Sequence, residues 1–418
     1  MASLRKLLAT LGPGFLLAGA AIGVSHLVQA TRAGADYGFA LWWVLLFACL
    51  TKYPFLEFGP RYAAATGETL LTGYRKLGHG AFSVFLVITF GTMFIIQAAV
   101  TIVTAGLAEQ LFQLGLSPFV WSMIILLTCV VLLLLGRYRV LDLLMKTIVS
   151  LLAIGTFVAV LLALQAGSAT EVLQTPAPSY WTAAGIAFLI ALAGWMPIPL
   201  DASVWHSIWL KEKSELQKQS LSLRSALVDF NAGYLIAAGL GFLFFLLGAL
   251  IMFGNAETFS PNSVAFSGQL ADLYASSLGA WSRPLVIVAA FTAMFSTTLA
   301  VTDAYPRVIS HIFANTALTS SEEPSPRIYN YTLLLVPIAS LFILRSLTGS
   351  FTLLIDFATG LSFVSAPILA YFNYRLVTDS TMPEDARPGP RYRLFSQISL
   401  VLLSAFALLY LIWRFFLS

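Results

Sequence analysis

The chain has 418 residues, of which 59% are hydrophobic and 10% are Asp, Glu, Lys or Arg, and its mean hydropathy is +0.86. A soluble domain of this length does not carry so little charge, so the composition specifies an integral membrane protein built of helical spans. The net charge of +4 is small and reads as membrane topology, which excludes a nucleic-acid-binding surface as its explanation.

Apolar segments long enough to cross a bilayer fall at residues 13–33, 37–62, 81–112, 118–136, 141–165, 181–209, 225–253, 284–312, 328–346, 350–375 and 394–415. This predicts an all-α protein of eleven transmembrane helices, numbered here as spans 1 to 11. The basic start, Met1 to Thr10, runs straight into span 1 without a small-residue cleavage site, so no removable signal peptide is expected. Cys49 and Cys129 both lie in apolar runs, which argues against a disulfide framework.

Span 1 is interrupted by Gly19-Ala20-Ala21-Ile22-Gly23-Val24-Ser25-His26. Gly19 and Gly23 permit backbone geometry that frees main-chain groups, although small residues four apart also suit helix packing. An imidazole at this depth needs a partner and normally faces a cavity, so His26 favours a break with Ser25 beside it. In span 2, Lys52 and Glu57, followed by Glu68, read as gate or interface residues or as side chains snorkelling to the cytoplasmic face. In span 5, Asp142 and Lys146 are four apart and neutralise each other on one helix face.

Span 6 carries a second interruption, Gly194-Trp195-Met196-Pro197-Ile198-Pro199-Leu200-Asp201-Ala202-Ser203. Two prolines flanking one residue disfavour a continuous helix. A half-helix is expected to restart near Leu200 with Asp201 and Ser203 in its first turn, Asp201 acting as cap, ligand or both. Trp195 and Met196 are candidate pocket residues. Span 8 reads Phe295-Ser296-Thr297-Thr298 through to Asp303. Its consecutive hydroxyls suit a hard monovalent cation, although such hydroxyls also bond to their own preceding turn. Asp229 and Asp356 are left as structural, gating or proton-handling groups. His79, His206 and His311 lie towards cytoplasmic span ends and carry no assigned role. The external loop at 254–283 reads as a short ordered cap, and those at 315–327 and 378–392 as internal linkers. None has room for a catalytic domain.

With the N-terminus inside, seventeen Lys and Arg residues fall on inner segments and four on outer ones, while Lys52 and Lys146 lie within spans. This bias predicts a cytoplasmic N-terminus and an extracytoplasmic C-terminus in the plasma (inner) membrane. Spans 1 and 6 each open a five-span half with a broken helix. An odd number per half gives the halves opposite orientation, which is the arithmetic of an inverted repeat. The expected units are residues 1–175 (spans 1–5), 176–377 (spans 6–10) and 378–418 (linker and span 11). No Walker A, GxSxG, HExxH or CxxC motif occurs, so neither ATP-driven pumping nor common hydrolase chemistry is indicated and no enzyme is expected.

Gly12-Pro13-Gly14-Phe15 leading into a broken span 1, Met196-Pro197 in span 6 and the eleven-span inverted repeat resemble the NRAMP metal-ion transporters of the LeuT-type fold. The resemblance covers nearly the whole chain. It implies a 5+5 inverted repeat plus one helix, with helices 1 and 6 broken, and transport by alternating access. NRAMP metal transporters carry Asp-Pro-Gly-Asn in span 1 and Met-Pro-His-Asn in span 6. Here the first stretch reads Gly23-Val24-Ser25-His26, and Met196-Pro197 is followed by Ile198-Pro199. The chain therefore resembles a divergent branch, some of which is associated with Mg²⁺, a cation that prefers oxygen ligands and retained water.

Two cargo classes follow. A divalent cation, Mg²⁺ or Mn²⁺, has Asp201 as its only carboxylate in the two breaks. A compact anion such as bicarbonate would meet half-helix N-termini together with Gly23, Ser25, His26, Trp195, Met196, Pro197, Asp201 and Ser203. Its coupling ion, Na⁺ with H⁺ as the alternative, would lie among Ile22, Ser296, Thr297, Thr298 and Asp303, as at the second sodium site of LeuT-type symporters. Na⁺-coupled bicarbonate symport is the leading expectation and divalent-metal import the alternative. A channel or scaffold is disfavoured by the paired breaks. No cofactor, nucleic acid or obligatory protein partner is expected, and the lipid bilayer is the chain's medium.

Overall fold

A computed structural model describes residues 12–136, 138–217, 222–254, 258–316, 324–346 and 350–417, and among these no residue is in a strand. Seven helical stretches among the described residues are long and apolar enough to cross a membrane, and Pro118–Leu134, Ser150–Gln165 and Ala183–Trp195 are shorter apolar helices. Span 1 is divided into Pro13–Ala21 and a π-helical turn, Ser25–Ala30, that continues into Thr31–Tyr37. Span 6 is divided into Ala183–Trp195 and Ala202–Gln217. The expected pairing of Asp142 with Lys146, and the linker stretch at 317–323, lie outside the described side chains and residues.

The start of span 1 shows how sequence becomes position. Pro13 sits in the first turn, where a missing N–H costs nothing and a fixed φ suits the helix. The main-chain N–H groups of Gly12 and Gly14 donate to the carboxylate of Asp229, at 3.0 and 2.8 Å. Asp229 lies in Leu223–Ile251, which is span 7, so a cap from another helix fixes where span 1 begins. A Cβ on Gly14 would collide with the main-chain carbonyl of Asp229. These two hydrogen bonds give Asp229 a capping role at the start of span 1.

Spans 1 and 6 pass through the interior, and residues of both breaks join the principal apolar cluster. The outer helices turn large apolar side chains outward, among them Leu127, Phe342 and Leu353, as lipid contact requires. The loop between spans 7 and 8 contains a helix, Ser263–Leu278, capped by Asn262 and burying Phe266, Leu270 and Tyr274. On the opposite side Arg61 ion-pairs with Glu57 at 2.6 Å and donates to the Ala386 carbonyl at 2.8 Å, pinning the 378–392 linker beneath span 2. Glu57 is 3% exposed, so it is a buried ion-pair partner and not a snorkelling side chain.

Candidate functional site between two helix breaks

At the first break the helix stops because Ile22 leaves helical geometry (φ −75°, ψ 70°) and the Gly23 N–H turns back to the Ala21 carbonyl at 2.8 Å. The Gly19 carbonyl loses the N–H it would receive in a continuous helix. Thr297, from span 8 (Ser282–Ala314), enters this gap. Its hydroxyl oxygen lies 3.2 Å from the Gly19 carbonyl, 3.5 Å from that of Ile22 and 3.2 Å from that of Ala293. One hydroxyl proton cannot satisfy three acceptors, so the spot is rich in unmatched carbonyl oxygen. Gly23 permits the approach, since a Cβ there would lie 2.8 Å from both Cγ2 and Oγ1 of Thr297.

At the second break the prolines dictate the outcome. In a continuous helix the Ala193 carbonyl would accept from residue 197 and the Trp195 carbonyl from residue 199, and neither Pro197 nor Pro199 has an N–H. The helix ends at Trp195, passes through a cis Met196–Pro197 peptide, and resumes at Ala202. The Lys52 ammonium donates to the carbonyls of Ala193, Gly194 and Ile198 at 2.9, 3.1 and 3.0 Å. Lys52 is fully buried, which corrects the expectation of a snorkelling or cytoplasmic-end side chain. The sequence signal was available: an unpaired Lys within one span and a helix end with two orphaned carbonyls in another.

Between the breaks lies a small cavity bounded by residues of spans 1, 3, 6 and 8. Ser25, Trp195 and Thr297 are the expected site residues that line it, beside apolar groups such as Val24, Val100 and Ile198. The Trp195 indole donates to the Ser362 hydroxyl at 2.8 Å, and the Ser25 hydroxyl reaches the Ala21 carbonyl at 2.9 Å. The Pro197 carbonyl lies 3.4 Å from Ser25 Oγ and so links the two breaks. Gly23 and Ile22 form the first break itself.

Other expected residues turn elsewhere. His26 does not face the cavity. Its Nε2 donates to the Ala237 carbonyl of span 7 at 2.8 Å, and its Nδ1 is 2.7 Å from Ser25 Oγ, so both ring nitrogens are engaged within the protein. Met196 is also directed at span 7, where a Cβ on Gly241 would lie 2.7 Å from its sulfur. Ser203 accepts from the Asn373 amide at 2.9 Å, towards span 10. Asp201 is partly exposed and accepts from the Tyr305 hydroxyl at 3.3 Å. The span 8 hydroxyls fan out because successive helical residues point about 100° apart. Ser296 Oγ comes within 3.7 Å of a Cβ placed on Gly19, while Thr298 bonds to Thr104 of span 3 at 2.7 Å. Asp303 is held by Arg307 and by Tyr329, both at 2.6 Å, and is not brought to the first break. Among the described residues no group of three or more His, Cys, Asp or Glu side chains is assembled to hold a metal.

Residues 14–414 match the family described as natural resistance-associated macrophage protein-like, Nramp. The chain belongs to the Nramp family. A further relative, an uncharacterised protein of Pasteurella multocida (strain Pm70), is 35% identical over 409 residues, covering 96% of this chain and 92% of that one. Among solved structures, an Eremococcus coleocola manganese transporter mutant superimposes with a TM-score of 0.68 at 16% identity, over 99% of this chain and 89% of the other. MhsT in complex with L-phenylalanine gives 0.67 at 16% identity, over 96% and 98%. Mhp1, a nucleobase-cation-symport-1 family transporter, gives 0.60 at 17% identity, over 96% and 92%. Likenesses this distant establish the fold, which is LeuT-type with helices 1 and 6 broken. This Nramp chain is an integral membrane transporter and not an enzyme. At the breaks it carries Ser25 and His26 in span 1 and Ile198-Pro199 after Met196-Pro197.

Proposed function

We propose that this Nramp-family chain is an ion-coupled secondary transporter working by alternating access, with a compact inorganic oxyanion such as bicarbonate as cargo and Na⁺ as coupling ion. The observation that supports the cargo reading is the lining of the cavity. Among the described residues no acidic, histidine or thioether side chain borders it, and the cationic Lys52 is buried at the second break. A dehydrated divalent cation needs several oxygen, nitrogen or sulfur ligands with negative charge among them. An anion instead takes hydrogen-bond donors at half-helix ends, with Ser25 and Trp195 exchanging their present acceptors for it. The Na⁺ reading draws support from Thr297, whose hydroxyl meets surplus carbonyls at the first break.

The second reading is import of a divalent metal. Family membership favours it, as does the likeness to a protein described as a manganese transporter. Asp201, partly exposed beside the second break, would then face a hydrated ion. Uptake into proteoliposomes separates the two. Labelled bicarbonate should accumulate when a Na⁺ gradient is imposed and not when choline replaces Na⁺. Mn²⁺ or Mg²⁺ uptake indifferent to Na⁺, with no bicarbonate uptake, would establish the metal reading instead.

A further inference from the structure

We propose that Lys52 is a built-in monovalent cation: its ammonium fills a cage of main-chain oxygens created by the span 6 break, a cage that would otherwise take up a free ion of K⁺ or ammonium size. The three acceptors lie 2.9 to 3.1 Å from Nζ, and an ammonium has three protons to give. All three carbonyls belong to the broken stretch of span 6, and none is a side chain. Two of them, Ala193 and Gly194, are at the C-terminal end of Ala183–Trp195, where unpaired carbonyls carry partial negative charge and favour a cation. The third, Ile198, lies beyond the turn, so the ammonium ties the helix end to the segment after it.

Geometry distinguishes this from ordinary packing of a lysine stem. The side chain runs from Trp42–Thr66, which is span 2, and is fully buried, so its head has no route to water. Pro197 removes the donor that the Ala193 carbonyl would use in a helix, so the oxygen needs an external partner. The titratable neighbours that sense its charge are Cys49, on the preceding turn of span 2, and Asp201, beside the same break. Ile198, one of the three cage residues, also lines the cavity, so the fixed charge sits directly behind the cavity wall. The two breaks are thus filled differently, the first by a hydroxyl that leaves carbonyls to spare and the second by a tethered cation that leaves none of its own protons unused.

The consequence for transport rests on the cavity between the breaks being the transport site, but the test of the cage uses no cargo. It therefore stands or falls apart from the choice between bicarbonate and metal. Full-length protein in detergent is unfolded thermally in KCl, in NH₄Cl and in the chloride of a bulky cation, N-methyl-D-glucamine. Wild type should melt at the same temperature in all three, because its cage is closed. Lys52→Ala, which empties the cage, should melt lower in the bulky cation and regain several degrees, saturably, in K⁺ or NH₄⁺. Lys52→Met fills the volume without charge and should melt low in every salt. Recovery of Lys52→Ala only when K⁺ or NH₄⁺ is present throughout purification is the same result read earlier. The proposal is overturned if Lys52→Ala shows no cation-specific gain or is unrecoverable in every salt, if Lys52→Met is as stable as wild type, or if wild type itself responds to K⁺.

Discussion

At the residue scale, the site depends on a few groups whose partners are main-chain atoms. Asp229 is 2% exposed and accepts two N–H groups at the start of span 1. Asp229→Ala leaves both donors buried without that acceptor, and the expected loss is about 1–3 kcal/mol for each unsatisfied group. Chemical unfolding of the purified protein checks this, and a variant as stable as wild type would refute the cap. Gly23 acts by absence. Gly23→Ala puts a methyl 2.8 Å from Thr297, which must rotate or retreat from the Gly19 carbonyl. Uptake by Gly23→Ala should lose its Na⁺ dependence while the protein still folds, and unchanged Na⁺ activation would remove Thr297 from the coupling site. None of these contacts could be read from spacing, because Asp229 and Thr297 are more than 200 residues from the groups they meet.

At the element scale, the breaks were legible and their fillings were not. Pro197 and Pro199 remove two donors at fixed offsets, and that loss is local chemistry visible in any window of sequence. Which side chain then satisfies the freed carbonyls depends on the helix packed alongside, and only the fold brings span 2 there. Restoring the donors should heal the break. Proline is disfavoured inside a helix by about 3 kcal/mol relative to alanine, so Pro197→Ala with Pro199→Ala should favour a continuous span 6, at the expense of the carbonyls that Lys52 now uses. Uptake should fall by an order of magnitude or more, because a continuous span 6 cannot bend around a cargo. Full activity in the double variant would mean that the break is dispensable. The histidine at the first break carries the opposite lesson. His26 was expected to face a cavity because imidazole needs a partner at depth, and the partner is the Ala237 carbonyl on the helix behind it.

At the scale of the whole molecule, two charged clusters sit at opposite ends of the broken helices. Arg32 of span 1 meets Asp356 of span 10 at 2.8 Å, and Gln29 donates to the same carboxylate at 3.0 Å. Arg307 of span 8 meets Glu212 of span 6 and its own Asp303, each at 2.6 Å. Under the orientation expected from the Lys and Arg distribution, with the N-terminus cytoplasmic, the first cluster would lie on the outer path and the second on the inner one. Arg32→Ala should raise outward access several-fold, read as labelling of Ser25→Cys by an impermeant thiol reagent with Cys49 and Cys129 replaced by serine. Equal labelling with and without Arg32 would deny it a gating role. Reporter fusions at the two termini test the orientation itself, and a periplasmic N-terminus would reverse the assignment of both gates.

The sequence by itself determined the medium, the helical class and the places where spans 1 and 6 break. Each of these follows from composition or from the covalent properties of Gly and Pro within a few residues. The tertiary structure alone decided which polar groups converge. It placed Thr297 at the first break but turned Thr298 and Asp303 away, engaged His26 with span 7, and drove Lys52 into the second break. The reason is that a carbonyl freed in a low-dielectric interior must find a donor, and neighbouring helices, not neighbouring residues, supply it.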